Sequence, residues 1–114
     1  MTGLVNIKEE IKADVLVLRM SGQLDAISSP AAECKVFDFI HQGHHKILID
    51  LNGIELMSSA GIRMLLSVSK KFKTISGKLI VCSLSPIVVD LINRCGFAHV
   101  FEVAKDEDDG LHKF

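Results

Sequence analysis

The chain has 114 residues, 48% of them hydrophobic, which is typical of one domain with a buried core, and we expect residues 1–114 to form a single domain. Its 13 basic and 14 acidic residues nearly cancel, and its six aromatic residues are all phenylalanine, so nucleic acid is not an expected partner. The sequence has no secretion signal and no long uncharged apolar run, which predicts a cytoplasmic protein without membrane insertion.

The three cysteines, Cys34, Cys82 and Cys95, are odd in number and widely spaced, and none belongs to a C-x-x-C pair. Neither a disulfide framework nor a thiolate zinc site is therefore predicted. We expect reduced thiols, with Cys82 serving as a small hydrophobic residue of a buried strand.

A β-hairpin is the first predicted element, with strands over residues 4–11 and 14–20 and a polar turn at Lys12 and Ala13. A short extended piece, Gly22-Gln23-Leu24-Asp25, follows the hairpin. Ser28-Ser29-Pro30 then supplies an N-cap and a first-turn proline for a helix over residues 30–41. We expect that helix to bury Val36, Phe37 and Ile40.

The middle of the chain combines a short apolar strand over residues 46–51, a polar loop, and an amphipathic helix over residues 59–74. The core stripe of that helix is predicted to contain Ile62, Leu65, Leu66, Ser69 and Phe72. Ser58 and Ser59 lie at its start, where serine is a favoured cap and free N–H groups favour a phosphate. Two interpretations follow: a plain structural cap, or a hydroxyl whose modification changes what the helix can bind.

The last third predicts a strand over residues 78–84, a helix from Pro86 to Cys95-Gly96, and a strand over residues 97–103. The charged tail, residues 105–114, is expected to be a solvated end or a frayed helix that begins near Asp106. Strands that alternate with helices after a hairpin predict an α/β fold. Its small mixed sheet would combine the antiparallel hairpin with parallel strands, packed with three to four helices.

Catalytic chemistry is disfavoured by the motifs. Met57 occupies a position where a serine-hydrolase elbow needs glycine, and the serine-x-x-lysine match at residues 67–70 lies in mid-helix without companion motifs. His41, His44 and His45 are interrupted by Gly43, so a frayed helix end explains them better than a metal site. Glycine-rich phosphate loops are absent from the sequence, so we expect a non-enzyme without cofactor or metal.

Several residues near the serine pair keep two interpretations. Ala60, Met64 and Val68 form a ridge at helical spacing, which is either an exposed docking surface or part of a wide core stripe. Arg63 either pairs with a phosphate or a partner's acidic group, or is simply solvated. Asp25 could simply satisfy a turn. Asp50 either caps the loop after its strand through backbone N–H groups, which is the favoured interpretation, or contacts a partner directly. Gly61 permits close backbone approach at the helix start, either by the core or by a partner.

In the order of these features the chain resembles the STAS domain family, which includes anti-sigma factor antagonists and cytoplasmic domains of sulfate transporters. The resemblance rests on the hairpin, Gly22-Gln23-Leu24-Asp25, Ile49-Asp50-Leu51, the junction Met57-Ser58-Ser59-Ala60-Gly61, and residues 81–86 before the third helix. It covers nearly the whole chain. The acceptor in that family is a serine in Asp-Ser-Ser-Gly or Asp-Ser-Thr-Gly, which places Ser59 at the acceptor position and Ser58 at the usual aspartate.

The resemblance implies an anti-sigma factor antagonist in a partner-switching circuit. Such a protein binds an ATPase-type anti-sigma serine kinase, is released when the kinase phosphorylates Ser59, and is reset by a serine phosphatase. Ser58 is the second choice of acceptor. Residues expected to contact the partner are Asp25, Ser58, Ala60, Gly61, Arg63, Met64 and Val68. The alternative is a STAS scaffold that is never phosphorylated, as in a sensor complex or an accessory subunit of a transport ATPase.

Overall fold

The computed structural model describes residues 4–94, 96 and 102–114. Within these residues the elements are β1 Val5–Lys12, β2 Val15–Leu24, α1 Ser28–His41, β3 Lys46–Met57, α2 Ser59–Thr74, β4 Lys78–Cys82, α3 Pro86–Arg94, β5 Glu102–Ala104 and α4 Glu107–Leu111. The strands form one sheet in the order β1-β2-β3-β4-β5, antiparallel between β1 and β2 and parallel elsewhere. The predicted mixed α/β fold is confirmed.

The hairpin turn lies one residue later than predicted, because Lys12 still pairs with Val15. Ala13 and Asp14 form the turn with φ of 49° and 64°, both in the left-handed region. A two-residue turn of this hand matches the right-handed twist of the strands that it joins. The first two strands therefore form a tight edge hairpin.

Helices cover both faces of the sheet. On one face α1 and α2 bury the side chains of Leu16, Leu18, Met20, Leu24, Ile47, Ile49, Leu51, Leu79 and Val81. On the other, α4 and the C-terminal residues cover Val15, Val17, Leu48, Ile80, Cys82 and Ala104. Because successive strand residues point to opposite faces, coverage of both faces explains the continuous apolar runs at residues 47–49 of β3 and 79–82 of β4.

The prediction that Cys82 serves as a small hydrophobic residue of a buried strand is confirmed. Cys82 is fully buried in β4, and burial raises the pKa of its thiol to about 12. Cys34 is an exposed free thiol, and Cys95 lies outside the described residues.

The polar loop predicted after residue 51 is wrong, because β3 continues to Met57. Residues 21–24 of β2 pair with residues 53–57 of β3 across two register shifts, the second of which skips Glu55. Such shifts break the period of two on which strand prediction depends. As a result β2 and β3 extend together beyond the rest of the sheet.

Three other boundaries differ from the prediction. α1 begins at Ser28, two residues early, and buries Phe39 together with Val36 and Ile40, while Phe37 is half-buried. β4 ends at Cys82, because Ser83 adopts a φ of 61° that extended backbone does not allow. β5 overlaps the predicted last strand, of which residues 97–101 lie outside the described residues.

The tail forms a helix, and the predicted helix start near Asp106 is confirmed. The helix is docked on the sheet, so the prediction of a frayed tail is wrong, although Asp108 and Asp109 are exposed. Asp106 caps α4 by accepting a hydrogen bond of 2.9 Å from the Asp109 N–H. Gly110 is buried, and Leu111 and Phe114 pack against the second face of the sheet. The side chain of Glu107 pairs with Arg19 of β2 at 2.6 Å, which fastens the helix to the sheet.

Candidate functional site

Ser58 is the N-cap of α2. Its Oγ accepts a hydrogen bond of 3.2 Å from the Ala60 N–H, which satisfies one of the unpaired donors at the helix start. The same Oγ donates to the Leu24 carbonyl at 3.2 Å, and the Ser58 N–H donates to that carbonyl at 2.9 Å. Ser58 therefore joins the end of β2 to the beginning of α2.

Ser59 is the first residue of α2, and its side chain is exposed. Its Oγ accepts a hydrogen bond of 3.3 Å from Nη2 of Arg63, one helical turn away. The hydroxyl is thus accessible, at the positive end of a helix of 16 residues that has no acidic residue in its first turn. An added phosphate would find the Arg63 guanidinium nearby.

Asp25 closes the turn between β2 and α1. Its Oδ1 accepts hydrogen bonds of 2.9 Å from the N–H groups of Ile27 and Ser28. These bonds favour the charged form and hold the pKa of the Asp25 carboxyl below its ordinary value, and the bond from the Ser28 N–H has the largest effect. The sequence predicts a cap within Ser28-Ser29-Pro30, but the N-cap of α1 is Ile27, whose side chain makes no capping bond. Asp25 instead accepts from the first helical N–H, that of Ser28, while Ser28 Oγ donates to the Gln23 carbonyl at 2.6 Å.

The two junctions touch through Leu24. Leu24 pairs with Met57 at the end of the β2–β3 ladder, and its carbonyl accepts from Ser58. Gly61 faces the same place, since a Cβ built on it would lie 3.0 Å from both Leu24 Cβ and Met57 Cγ. The close approach that the sequence suggested for Gly61 is therefore made by the core of the protein itself. Because β2 and β3 are parallel, the Asp25 turn and the Ser59 helix start lie at the same edge of the sheet.

The comparisons with known proteins agree on one family. A family model described as the STAS domain matches residues 6–110. The chain belongs to the STAS domain family. BtrV of Bordetella bronchiseptica, a candidate anti-sigma factor antagonist, is 27% identical over 100 residues, which cover 88% of this chain and 86% of BtrV. The anti-sigma F factor antagonist of Paenibacillus polymyxa is 25% identical over 108 residues, or 94% of this chain and 92% of that protein.

Solved structures share the fold of this STAS chain. An anti-sigma factor antagonist from Mycobacterium paratuberculosis has a TM-score of 0.87 and 23% identity, with 97% of this chain and 94% of that one covered. The phosphorylated form of the Bacillus cell fate determinant SpoIIAA has a TM-score of 0.72 and 20% identity, with 95% and 98% covered. Within the described ranges, no helix of the STAS chain is long and apolar enough to span a membrane.

The ridge on α2 is largely interior, so the wide core stripe is the correct alternative. Met64 is 4% exposed and Val68 is fully buried, while Ala60 is half-buried. The ridge is covered as well as the core stripe around Leu65, because α1 packs alongside α2. The period of a single helix does not show where a second helix lies. Arg63 remains exposed on the solvent side.

Two exposed apolar residues near the serine junction, Ile27 and Leu56, are not predicted by any pattern in the sequence. Ile27, in the Asp25 turn, is 72% exposed, and Leu56, close to the end of β3, is 51% exposed. Both belong to segments that the sequence assigned to turns or loops, where an isolated apolar residue gives no periodic signal. They place apolar surface at the sheet edge where Ser59 lies.

The Asp50 carboxylate has the structural role that the sequence favoured. It is 8% exposed, and its Oδ1 accepts a hydrogen bond of 2.9 Å from the Asn52 N–H. Burial, followed by interaction with Glu107, raises the pKa of Asp50, whereas hydrogen bonds from Arg19 lower the pKa of Glu107 to about 2. These residues lie where α4 docks on the sheet, and their contacts stabilise the fold.

The histidine cluster forms no metal site in the described part of the chain, where no group of three or more His, Cys, Asp or Glu side chains could hold an ion. His41 ends α1, and the ring of His44 packs edge-on against Phe39 with centroids 6.0 Å apart. The contact with Phe39 gives His44 a role in packing.

Proposed function

We propose that this STAS protein is an anti-sigma factor antagonist that binds an ATPase-type anti-sigma serine kinase and is released when that kinase phosphorylates Ser59. The exposed Ser59 hydroxyl at the start of α2 carries the proposal. Ser58 is unsuited to be the acceptor, because its Oγ is engaged with both the Ala60 N–H and the Leu24 carbonyl. The phosphorylated form of the SpoIIAA structure lends support, since a protein of this fold carries such a modification.

In the phosphorylation step the Ser59 Oγ forms a bond to the γ-phosphorus of ATP. The bond from that phosphorus to the β–γ bridging oxygen breaks, ADP leaves, and the hydroxyl proton passes to a base of the kinase or to solvent. The STAS protein is the substrate and ligand in this step, and the kinase supplies the catalysis. A serine phosphatase would return the hydroxyl by hydrolysis.

Release follows from electrostatics without unfolding. A phosphoserine carries about −1.5 to −2 charges at neutral pH and can accept hydrogen bonds from N–H groups at the helix start. Apolar side chains at the same edge, Ile27 and Leu56, suit a surface that loses water when a partner docks. Burying an unpaired dianion there costs on the order of several kcal/mol, and each 1.4 kcal/mol is about tenfold in affinity.

The test is phosphorylation by the anti-sigma kinase encoded nearest to this gene. With ATP, the wild-type protein should gain one phosphate, which fragment mass spectrometry should locate on Ser59. Ser59→Ala should gain none, and Ser58→Gly, which removes the second hydroxyl while keeping a tolerated cap residue, should still be modified. Ser59→Asp should bind the kinase more weakly than Ser59→Ala.

The scaffold alternative makes the opposite prediction. The observation that supports this alternative is Ser58, which occupies the position of the aspartate usual in the family junction. If that replacement prevents recognition by the kinase, no phosphate is added, and Ser59→Asp binds its partner as well as the wild type does. That pair of results would replace the switch with a constitutive interaction module.

A further inference from the structure

A groove of about 420 Å³ lies between the first halves of α1 and α2, next to the proposed phosphorylation site. Its lining includes Ser29, Glu33, Ala60, Arg63, Met64 and Ser67. One of these residues, Arg63, also donates to Ser59 Oγ at 3.3 Å. The groove and the Ser59 hydroxyl therefore share one guanidinium.

Ser29, in the lining of this groove, has a buried hydroxyl without a hydrogen-bond partner among the residues that the structure describes. Its side chain is 2% exposed, and of the buried side-chain nitrogen and oxygen atoms in the described residues, its Oγ is the one without a hydrogen-bond partner. A buried hydroxyl without a partner destabilises the folded protein, and a ligand atom that accepts a hydrogen bond from it removes that cost. A hydroxyl in this state favours a ligand with a hydrogen-bonding group.

The charges around the groove favour an anion. The N-terminal turns of α1 and α2 flank it. The Asp25 carboxylate compensates the positive end of the α1 dipole, whereas the first turn of α2 contains no acidic residue, so the positive end of that helix faces the groove without a carboxylate of its own. Arg63 adds a full positive charge in an exposed position. Glu33, which is half-buried, is the one acidic residue in the lining.

We propose that this groove receives an aspartate or glutamate side chain of the anti-sigma kinase, whose carboxylate accepts hydrogen bonds from Arg63 and from Ser29 Oγ. This rests on the proposed function, and it adds how phosphorylation would act. A phosphate on Ser59 lies one turn before Arg63 and competes for the same guanidinium, because Arg forms bidentate pairs with phosphate. Phosphorylation thereby removes the cation that holds the partner's carboxylate.

The first experiment measures affinity for the anti-sigma kinase encoded nearest to this gene by titration calorimetry with unmodified variants. Arg63→Gln should weaken binding about tenfold or more, since it removes a charged hydrogen bond, whereas Lys70→Gln, the same charge change on an exposed residue of α2 outside the groove, should change it less than twofold. Glu33→Gln should tighten binding about two- to threefold, because it removes the repelling carboxylate.

Ser29→Ala separates a binding role from a structural one. Loss of a buried hydroxyl without a partner should leave the unfolding midpoint unchanged or slightly raised, while affinity for the kinase falls about three- to tenfold. A basic occupant of the groove would give the reverse pattern, with Glu33→Gln weaker and Arg63→Gln tighter, and would overturn the proposal.

The outcomes distinguish this proposal from the function on which it rests. If the wild type does not bind the kinase, the proposed function fails and the groove proposal fails with it. If the wild type binds and is released by phosphorylation, but Arg63→Gln and Ser29→Ala bind equally well, only the groove proposal is overturned.

A second experiment tests the competition for Arg63 without the kinase. Phosphoserine is incorporated at position 59 during translation, and its second pKa is measured by phosphorus NMR. Arg63→Gln should raise that pKa by on the order of half a unit, Arg63→Lys by less, and Lys70→Gln not measurably. Equal pKa values in the wild type and Arg63→Gln would show that the phosphate does not capture Arg63, and would overturn this part of the proposal.

Discussion

Two adjacent serines divide two tasks at the start of α2. Ser58 Oγ accepts from the Ala60 N–H and donates to the Leu24 carbonyl, so it belongs to the interior bonding of the fold. Ser59 Oγ accepts a single bond from an exposed arginine, so little of the fold depends on it. Chemical change at Ser59 can therefore alter the surface while the helix start stays in place.

Substitution of each serine by alanine should separate these tasks. Ser58→Ala removes the cap and leaves the Ala60 N–H unsatisfied, so we expect a loss of about 1 kcal/mol in the free energy of unfolding. Ser59→Ala should change it by less than about 0.5 kcal/mol, because alanine is the better helix former and the bond lost is exposed. Urea unfolding of both variants provides the measurement, and equal losses would contradict the division.

The contacts of the candidate site residues could be predicted from the sequence only to the extent that local spacing determines them. Serine at a helix start and Arg63 four residues after Ser59 follow from the helical period, and both contacts are found. Burial of Met64 and Val68 depends on where α1 lies, which no local pattern contains. The burial of the Ser29 hydroxyl likewise depends on the packing of α1 beside α2.

Among the elements, α2 was predicted with its observed bounds, Ser59–Thr74, because a capping serine and a strong period of 3.6 coincide there. The predicted start of α1 is two residues late because Ser28-Ser29-Pro30 resembles a cap, whereas the N-cap is Ile27 and the Asp25 carboxylate bonds the N–H groups of Ile27 and Ser28. The second half of β3 was missed because its bulge shifts the alternation of side chains. In each case the error arose where a contact with another segment outweighed the local pattern.

The contact of α2 with the end of β2 favours glycine at position 61. Alanine is the better helix former by about 1 kcal/mol, yet its Cβ would lie 3.0 Å from Leu24 Cβ and 3.2 Å from the Leu24 carbonyl oxygen. Overpacking of this kind costs about 1 to 3 kcal/mol, so we expect Gly61→Ala to destabilise the protein by about 1 kcal/mol. Thermal unfolding tests this, and a raised midpoint would mean that the helix start moves away from Leu24 without cost.

Helix α4 covers the second face of the sheet, and the sequence of the tail alone does not predict this docking. Residues 107–109 read as an acidic, solvated end, but Glu107 meets Arg19, which is 88 positions away in the chain. The side chains of Arg19 and Glu107 are 36% and 21% exposed. Because water screens such a pair, its contribution to the free energy of unfolding depends on the surrounding cluster of Lys12, Glu10 and Asp50. Only the sheet order brings these residues together.

This cluster makes stability depend on pH in two opposite ways. The pKa of Glu107 falls from its usual 4.5 to about 2, so its contribution is complete above pH 4.5 and is lost as the pH falls toward 2. The pKa of Asp50 is raised above its usual 3.8, so the folded state binds more protons than the unfolded one in the range above that value. Deprotonation of Asp50 therefore reduces stability as the pH rises from about 4.

Asp50→Asn should isolate the second effect. Asparagine keeps an oxygen for the Asn52 N–H, and its amide can donate to Glu107 at every pH, as a protonated Asp50 does. We therefore expect the variant to be of similar stability to the wild type near pH 4 and more stable by about 1 kcal/mol at pH 7, measured by urea unfolding at both values. Glu107→Gln serves as the control, because it should lose stability most at pH 7 and progressively less toward pH 2. A difference between Asp50→Asn and the wild type that stays constant across this range would show that Asp50 is ionised throughout, and that water or Arg19 compensates its charge beneath α4.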